Sequence, residues 1–244
     1  MSLIKSISGI RGTIGGKAGD GLTPIDVVKF ASAYGAWVLE KTGNPKVVIG
    51  RDARLSGDMI SRLVSATLQG LGIHVIDLGL STTPTVEFAV PREQAGGGII
   101  LTASHNPIQW NALKLLNSVG EFISDEEGKA ILDKAEKEDF SFAEVKKLGK
   151  YTLIEDYMDR HIQHVLDLEL VDVEAIKARN FKVVVDAVNS TGGIVIPKLL
   201  RALGVESIEE MYCTPDGHFP HNPEPLPENL RDISKKLEKG NFDL

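Results

Sequence analysis

An α/β fold in two consecutive domains, each a mostly parallel sheet layered with helices, is what this sequence predicts. Three observations carry the prediction. Short apolar runs alternate with segments of helical period along the chain, the pattern of strands linked by crossover helices. The 244 residues are 42% hydrophobic, enough to bury two modest cores. A charged, apolar-poor stretch from Asp133 to Lys150 divides the chain into domains expected at 1–150 and 151–244.

The elements follow in order. Thr23-Pro24 is an N-cap followed by proline at the first helical position, and Val27, Phe30, Ala31, Tyr34 and Val38 then recur at helical spacing. Val47-Val48-Ile49 is a strand. A helix from about Gly57 carries Leu63, Val64, Leu68 and Leu71, and Val75 to Leu78 is the next strand, so the three form a right-handed βαβ unit. Thr83-Pro84 opens a short helix through Phe88, Gly98 to Leu101 gives a third strand, and Ser124 caps a helix whose first turn holds Asp125, Glu126 and Glu127. In the second domain a helix with Tyr157, His161, Val165 and Leu168 precedes a buried strand, Phe181 to Asp186. A helix from Gly192-Gly193 to Ala202, a strand near Glu206 to Met211, a proline-rich loop from Pro215 to Pro227 and a helix from about Glu228 to Lys239 follow. The terminal Asn241-Phe242-Asp243-Leu244 reads as the opening of a further strand, so the second domain is expected to be incomplete.

Composition excludes several functions. Lys and Arg total 27 against 34 Asp and Glu, a net charge of −7, so no overall field draws nucleic acid or an anionic membrane. The single cysteine, Cys213, rules out an internal disulfide and fits a reducing compartment. No apolar run reaches the ~18 residues of a membrane span, and Met1-Ser2-Leu3-Ile4-Lys5 has no signal-peptide pattern. The protein is expected to be soluble and cytoplasmic.

The most informative stretch is Thr102-Ala103-Ser104-His105-Asn106-Pro107, directly after the strand Ile99-Ile100-Leu101. A serine just past a buried strand, in a turn stiffened by Pro107, is held where a substrate can reach it. Read alone, Ser104 or Asn106 could equally be bonding the backbone of an ordinary turn. The rest of the chain decides between these readings. Gly9-Ile10-Arg11-Gly12, the run from Gly50 through Arg51, Asp52, Ala53, Arg54, Leu55 and Ser56 to Gly57, the Lys114 segment Asn111–Leu115, and the proline-rich run from Pro215 to Leu230 resemble, in that order, the α-D-phosphohexomutases. These comprise phosphoglucomutase, phosphomannomutase and phosphoglucosamine mutase. The resemblance covers essentially all 244 residues.

The resemblance implies α/β/α domains with mixed, mostly parallel sheets and an enzyme interconverting hexose 1-phosphates and hexose 6-phosphates. Ser104 would be the phosphorylated serine, giving its phosphoryl group to a hexose phosphate and recovering one from the resulting hexose bisphosphate. A serine hydroxyl is a weak nucleophile that needs neighbours to neutralise charge and move a proton. His105 and Lys114 are implied as those catalytic neighbours, with the acid, base and charge-stabilising roles left undivided between them. Arg11 is implied as a phosphate-binding residue; its glycine flanks let backbone approach an anion while the guanidinium forks onto phosphate oxygens. Arg51, Asp52 and Arg54 are expected to support these contacts from behind, as an internal network shaping the loop. Asn111–Lys114 carries Ala112 where many relatives have glycine, so that loop is expected to be slightly reshaped.

Three patterns are set aside. Gly15-Gly16-Lys17-Ala18 lacks the hydroxyl residue of a phosphate-binding loop. His161 and His164 have no third ligand nearby in sequence, and Asp216, His218 and His221 belong to a segment whose rigidity the prolines explain. Family members hold Mg2+ between the serine phosphate and three aspartates. No D-x-D-x-D occurs in these residues, so Ser104 is the one expected magnesium ligand, the chain is read as the first domain and most of the second, cut before the metal loop, and it is expected to be inactive alone. Two other readings are a non-catalytic sugar-phosphate-binding or interaction module on the same scaffold, and a serine-phosphate hydrolase.

Overall fold

The structure, a computed structural model, describes residues 2–6 and 9–244; Met1, Ile7 and Ser8 lie outside the described residues. The chain divides into two compact units. The first is Met1–Asp52, Ser56–Ala103 and Gln109–Glu155; the second is Ala53–Leu55, Ser104–Ile108 and Asp156–Leu244.

In the first unit the elements are β1 (Ile4–Ser6), β2 (Gly9–Thr13), α1 (Pro24–Thr42), β3 (Lys46–Arg51), α2 (Gly57–Gly70), β4 (His74–Leu80), α3 (Thr83–Arg92), β5 (Gly97–Leu101), β6 (Trp110–Leu116), α4 (Asp125–Lys137) and β7 (Tyr151–Leu153). They form a seven-stranded sheet among the described residues, ordered β1-β2-β6-β5-β3-β4-β7. β5, β3, β4 and β7 run parallel, while β6 is antiparallel to both β5 and β2. The sheet is therefore mixed and mostly parallel. Alternation along β3 and β5 sends Val47, Ile49, Ile99 and Leu101 into the core that α1, α2 and α4 cover. On the other face, Cβ atoms at Gly50 and Gly98 would collide with Val86 and Val90 of α3, so α3 packs there in close contact. Helices thus lie on both faces of the sheet.

α1 starts where its cap residues dictate. The Thr23 hydroxyl accepts from the Asp26 amide, and the Asp26 carboxylate accepts from the Thr23 amide. α3 runs past Phe88 to Arg92 with Pro91 inside it; a proline this late forgoes only the bond to the Glu87 carbonyl. β2 and β6 were not anticipated. Gly9–Thr13 lacks strand-forming residues, and Trp110–Leu116 breaks the apolar alternation with the fully buried Asn111, whose amide donates to Ser56 Oγ. Because Asn111–Lys114 is strand and Ala112 is not among the residues with positive φ, the reshaping expected from its alanine does not arise.

β7 pairs with β4 and carries the first unit to Glu155, beyond residue 150. In the second unit, α5 (Tyr157–Leu166) and α6 (Val173–Ala178) precede the parallel pair β8 (Lys182–Asp186) and β9 (Ser207–Met211), joined by α7 (Gly192–Ala202). Val183, Val185, Ala187 and Val205 form its core with Ile176, Leu200 and Ile208 around them. α8 (Arg231–Lys239) follows a turn, three residues later than Glu228. Asp243 donates its amide to the Lys182 carbonyl and Leu244 accepts from the Val184 amide, so these residues lie beside β8, although Asn241–Leu244 is not itself a strand. Among the described residues no helix is long and apolar enough to cross a membrane.

Candidate active site

In the first unit the sheet register brings two of the expected residues together. Arg11 on β2 pairs with Ala112, and Lys114, two residues along β6, pairs with Ile100 of β5. Residues two apart on a strand share a face. Arg11 and Lys114 are therefore diagonal neighbours on the face that α3 covers. Lys114 is half-buried, its Nζ 5.7 Å from the centre of the Phe122 ring. Burial pulls its pKa below the ordinary lysine value; the carboxylates of Glu87 on α3 and of Asp52 oppose that pull, and the Arg11 guanidinium adds to it. Burial in turn raises the Glu87 carboxyl, against the Lys114 charge. Glu87 escaped the sequence reading, since only the packing of α3 on the sheet turns it toward Lys114.

Asp52 follows the end of β3 and ties it to the end of β5. Its carboxylate accepts from Thr102 Oγ at 2.6 Å and its amide donates to the Leu101 carbonyl. Arg51 Nη1 donates to the Asp52 carbonyl at 3.3 Å. Both residues lie at the end of β3, and the Asp52 bonds tie it to the end of β5, from which the serine loop emerges.

The loop itself belongs to the second unit. Ser104 is exposed and sits at φ 55°, in the left-handed region that residues with a Cβ rarely occupy. His105, beside it, is also exposed. Arg54 spans the loop from within: Nη1 donates to the Pro107 carbonyl at 2.8 Å, and Nη2 donates to the carbonyls of Ser104 at 2.8 Å and Asn106 at 2.7 Å. The Arg54 turn is fixed in its own right. Ser190 Oγ accepts from the Ala53 amide, and Gly217, at φ +75°, lies so close that a Cβ there would stand 2.0 Å from the Ala53 carbonyl oxygen. Phe219 lies against the Arg54 guanidinium, 5.1 Å from ring centre to Cζ. A cavity of about 220 Å³ lined by Pro107, Ile108, Phe219, His221, Asn222 and Pro223 adjoins the loop.

His221 Nε2 pairs with Asp186 Oδ2 and Nδ1 with the Asn222 carbonyl, each at 2.9 Å. Burial lowers its pKa, but the Asn222 carbonyl and the Asp186 carboxylate outweigh burial and raise it overall. Among the described residues no three His, Cys, Asp or Glu side chains come together as a metal-holding group. A hard divalent cation seeks several oxygen ligands, and the magnesium implied by the resemblance would find only Ser104 here. The described residues do not make that site.

Comparison with known proteins matches the chain to two family models, "Phosphoglucomutase/phosphomannomutase, alpha/beta/alpha domain I" over residues 3–142 and the corresponding domain II over residues 157–244. A phosphoglucomutase/phosphomannomutase of Thermococcus kodakarensis is 39% identical over 225 residues, which is 90% of this chain and 48% of the relative. A probable phosphoglucosamine mutase of Methanosphaera stadtmanae is 34% identical over 244 residues, 99% of this chain and 52% of the relative. Among solved structures, a putative phosphomannomutase from Thermus thermophilus matches with a TM-score of 0.83 at 30% identity, covering 97% of this chain and 52% of that one. The chain spans about half the length of the relatives it matches.

Proposed function

Since the chain belongs to the phosphoglucomutase/phosphomannomutase family, we propose that the complete protein is a phosphohexomutase that converts hexose 1-phosphate to hexose 6-phosphate through a phosphorylated Ser104 and a hexose bisphosphate. The observation that carries this reading is the exposed Ser104 at φ 55°, on a loop whose carbonyls converge on Arg54. In the first half-reaction the sugar hydroxyl oxygen bonds to phosphorus as the bond from phosphorus to Ser104 Oγ breaks. The hydroxyl proton passes to a base, and Ser104 Oγ regains a proton. The bisphosphate then returns its other phosphoryl group to Ser104. Arg11 and Lys114 supply positive charge to the phosphate oxygens, and His105 and Lys114 are the groups able to carry the protons.

The test is an assay of the complete protein with glucose, mannose and glucosamine 1-phosphates, magnesium and a catalytic amount of hexose 1,6-bisphosphate. The expected result is isomerisation of at least one sugar phosphate by the complete protein and of none by the 244-residue chain. Release of inorganic phosphate without isomerisation would indicate a hydrolase. Binding without any turnover would indicate a non-catalytic module.

The electrostatics of Lys114 give a second test. If Lys114 acts as the ammonium, activity falls as pH rises through its pKa, which burial places below the ordinary 10.5. Glu87 raises that pKa, so Glu87→Gln is expected to move the alkaline limb of kcat/KM to lower pH. Arg11 lowers it, so the residual activity of Arg11→Gln is expected to show the limb at higher pH. Limbs that stay in place in both variants would remove Lys114 from the titration.

A further inference from the structure

We propose that Arg54 is a positioning residue for the reactive serine: sealed by Phe219, it holds the loop Ser104–Pro107 so that Ser104 keeps the left-handed conformation that presents the hydroxyl, and it binds no substrate phosphate. The proposal rests on the reading of Ser104 as the phosphoryl acceptor and deepens it.

An arginine in a sugar-phosphate enzyme invites a phosphate-binding role. The surroundings of Arg54 assign a different one. Its relative exposure is 1%, so a ligand arriving from solvent does not reach it. Its terminal nitrogens donate to three main-chain carbonyls, and those carbonyls belong to Ser104 itself and to the two residues that close the turn behind it. One planar cation thereby fixes three carbonyl oxygens of one turn at once, which a lysine ammonium, a point charge on a flexible stem, does not reproduce. The constraint has a purpose at this position. A non-glycine residue at positive φ persists only where its surroundings over-determine it, and the three bonds, with Phe219 closing over the guanidinium, supply that determination. The Arg54 turn is anchored from behind through Ala53, by Ser190 and by the close approach of Gly217. The proline-rich run from Pro215 to Leu230 therefore serves the serine loop through Phe219 and Gly217.

The experiment compares the complete wild-type protein with Arg54→Lys, Arg54→Ala and Phe219→Leu. Limited proteolysis with a broad-specificity protease, read by mass spectrometry, reports the loop independently of activity. Cleavage within 104–108 is expected to be faster by about tenfold or more in Arg54→Lys and to rise less in Phe219→Leu, as local opening costs less when a few bonds hold a loop. In the mutase assay kcat is expected to fall by about 100-fold with KM within about threefold, the signature of a misplaced reacting group. Added guanidinium ion is expected to restore part of the kcat of Arg54→Ala. Unchanged proteolysis of the loop in Arg54→Lys would overturn the proposal whatever the activity. A rise in KM with kcat preserved would make Arg54 a substrate-binding residue instead, and unfolding of both Arg54→Lys and Phe219→Leu would reduce it to a stability residue. If the wild-type protein neither phosphorylates nor turns over, the functional reading has failed, and the proteolysis result still decides whether Arg54 sets the loop.

Discussion

Replacing Ser104 with alanine in the complete protein is expected to abolish covalent phosphate incorporation from a hexose bisphosphate and to lower mutase turnover by several orders of magnitude. The side chain is exposed and Arg54 bonds the Ser104 carbonyl, so loss of the hydroxyl leaves the loop's main-chain anchors in place. Ser104→Gly separates chemistry from conformation. Glycine occupies φ 55° without the steric cost, about 1–2 kcal/mol, that a Cβ incurs there. The glycine variant is therefore expected to be at least as stable as wild type and as inactive as the alanine variant. Phosphate located by mass spectrometry on another residue, or turnover retained in either variant, would displace Ser104 from the centre of the mechanism.

What the sequence made legible is local. The cap at Thr23-Pro24, the buried run of β5 and the turn residues after it each declare themselves within a few positions, because capping, alternation and turn chemistry act over that range. The turn after β5 is legible for the same reason, whereas the role of its serine rests on motifs spread over the whole chain. Pairing of β2 with β6 could not. It joins Arg11 to Ala112 across most of the first unit, and its strands carry glycines and a buried asparagine where a strand pattern would show alternating apolar residues.

How the supporting residues divide their contacts was hidden by a related cause. Backbone carbonyls have no side-chain signature, so nothing in the run from Gly50 to Gly57 distinguishes Arg54, which bonds three of them, from Arg51, which reaches one. A fully buried arginine also runs against the usual exposure of that residue type. Glu87 became relevant only when α3 was seen to cover the face carrying Lys114. In both cases the residue was visible and its neighbour was not.

Gly97 illustrates how much a residue without a side chain can carry, and it gives the largest stability change expected here. The triplet Gly96-Gly97-Gly98 reads in sequence as a lead into β5. In the fold, Tyr34 from α1 passes over it, and its hydroxyl donates to the carbonyls of Gly98 at 3.0 Å and Leu116 at 2.7 Å, tying the helix to β5 and β6 together. Burial pushes the phenol pKa far up, so it stays a donor at every accessible pH. A Cβ on Gly97 would stand 2.2 Å from that hydroxyl and 2.8 Å from the Leu116 carbonyl oxygen. Gly97→Ala must therefore expel the hydroxyl: overpacking costs about 1–3 kcal/mol and the stranded donor and acceptors about 1–3 more, so a loss of about 2–6 kcal/mol is expected. Tyr34→Phe removes the atom in the way but also its bonds, and should cost about 1–2 kcal/mol alone. The double variant is then expected to be more stable than the sum of the two, by about 1 kcal/mol or more, as contacting residues couple. The chain's two tryptophans, Trp37 and Trp110, both lie in the first unit, so their fluorescence during denaturant unfolding of the 244-residue chain reads this unit alone. Strict additivity would mean that the backbone yields at Gly97 and that the tyrosine does not hold the sheet there.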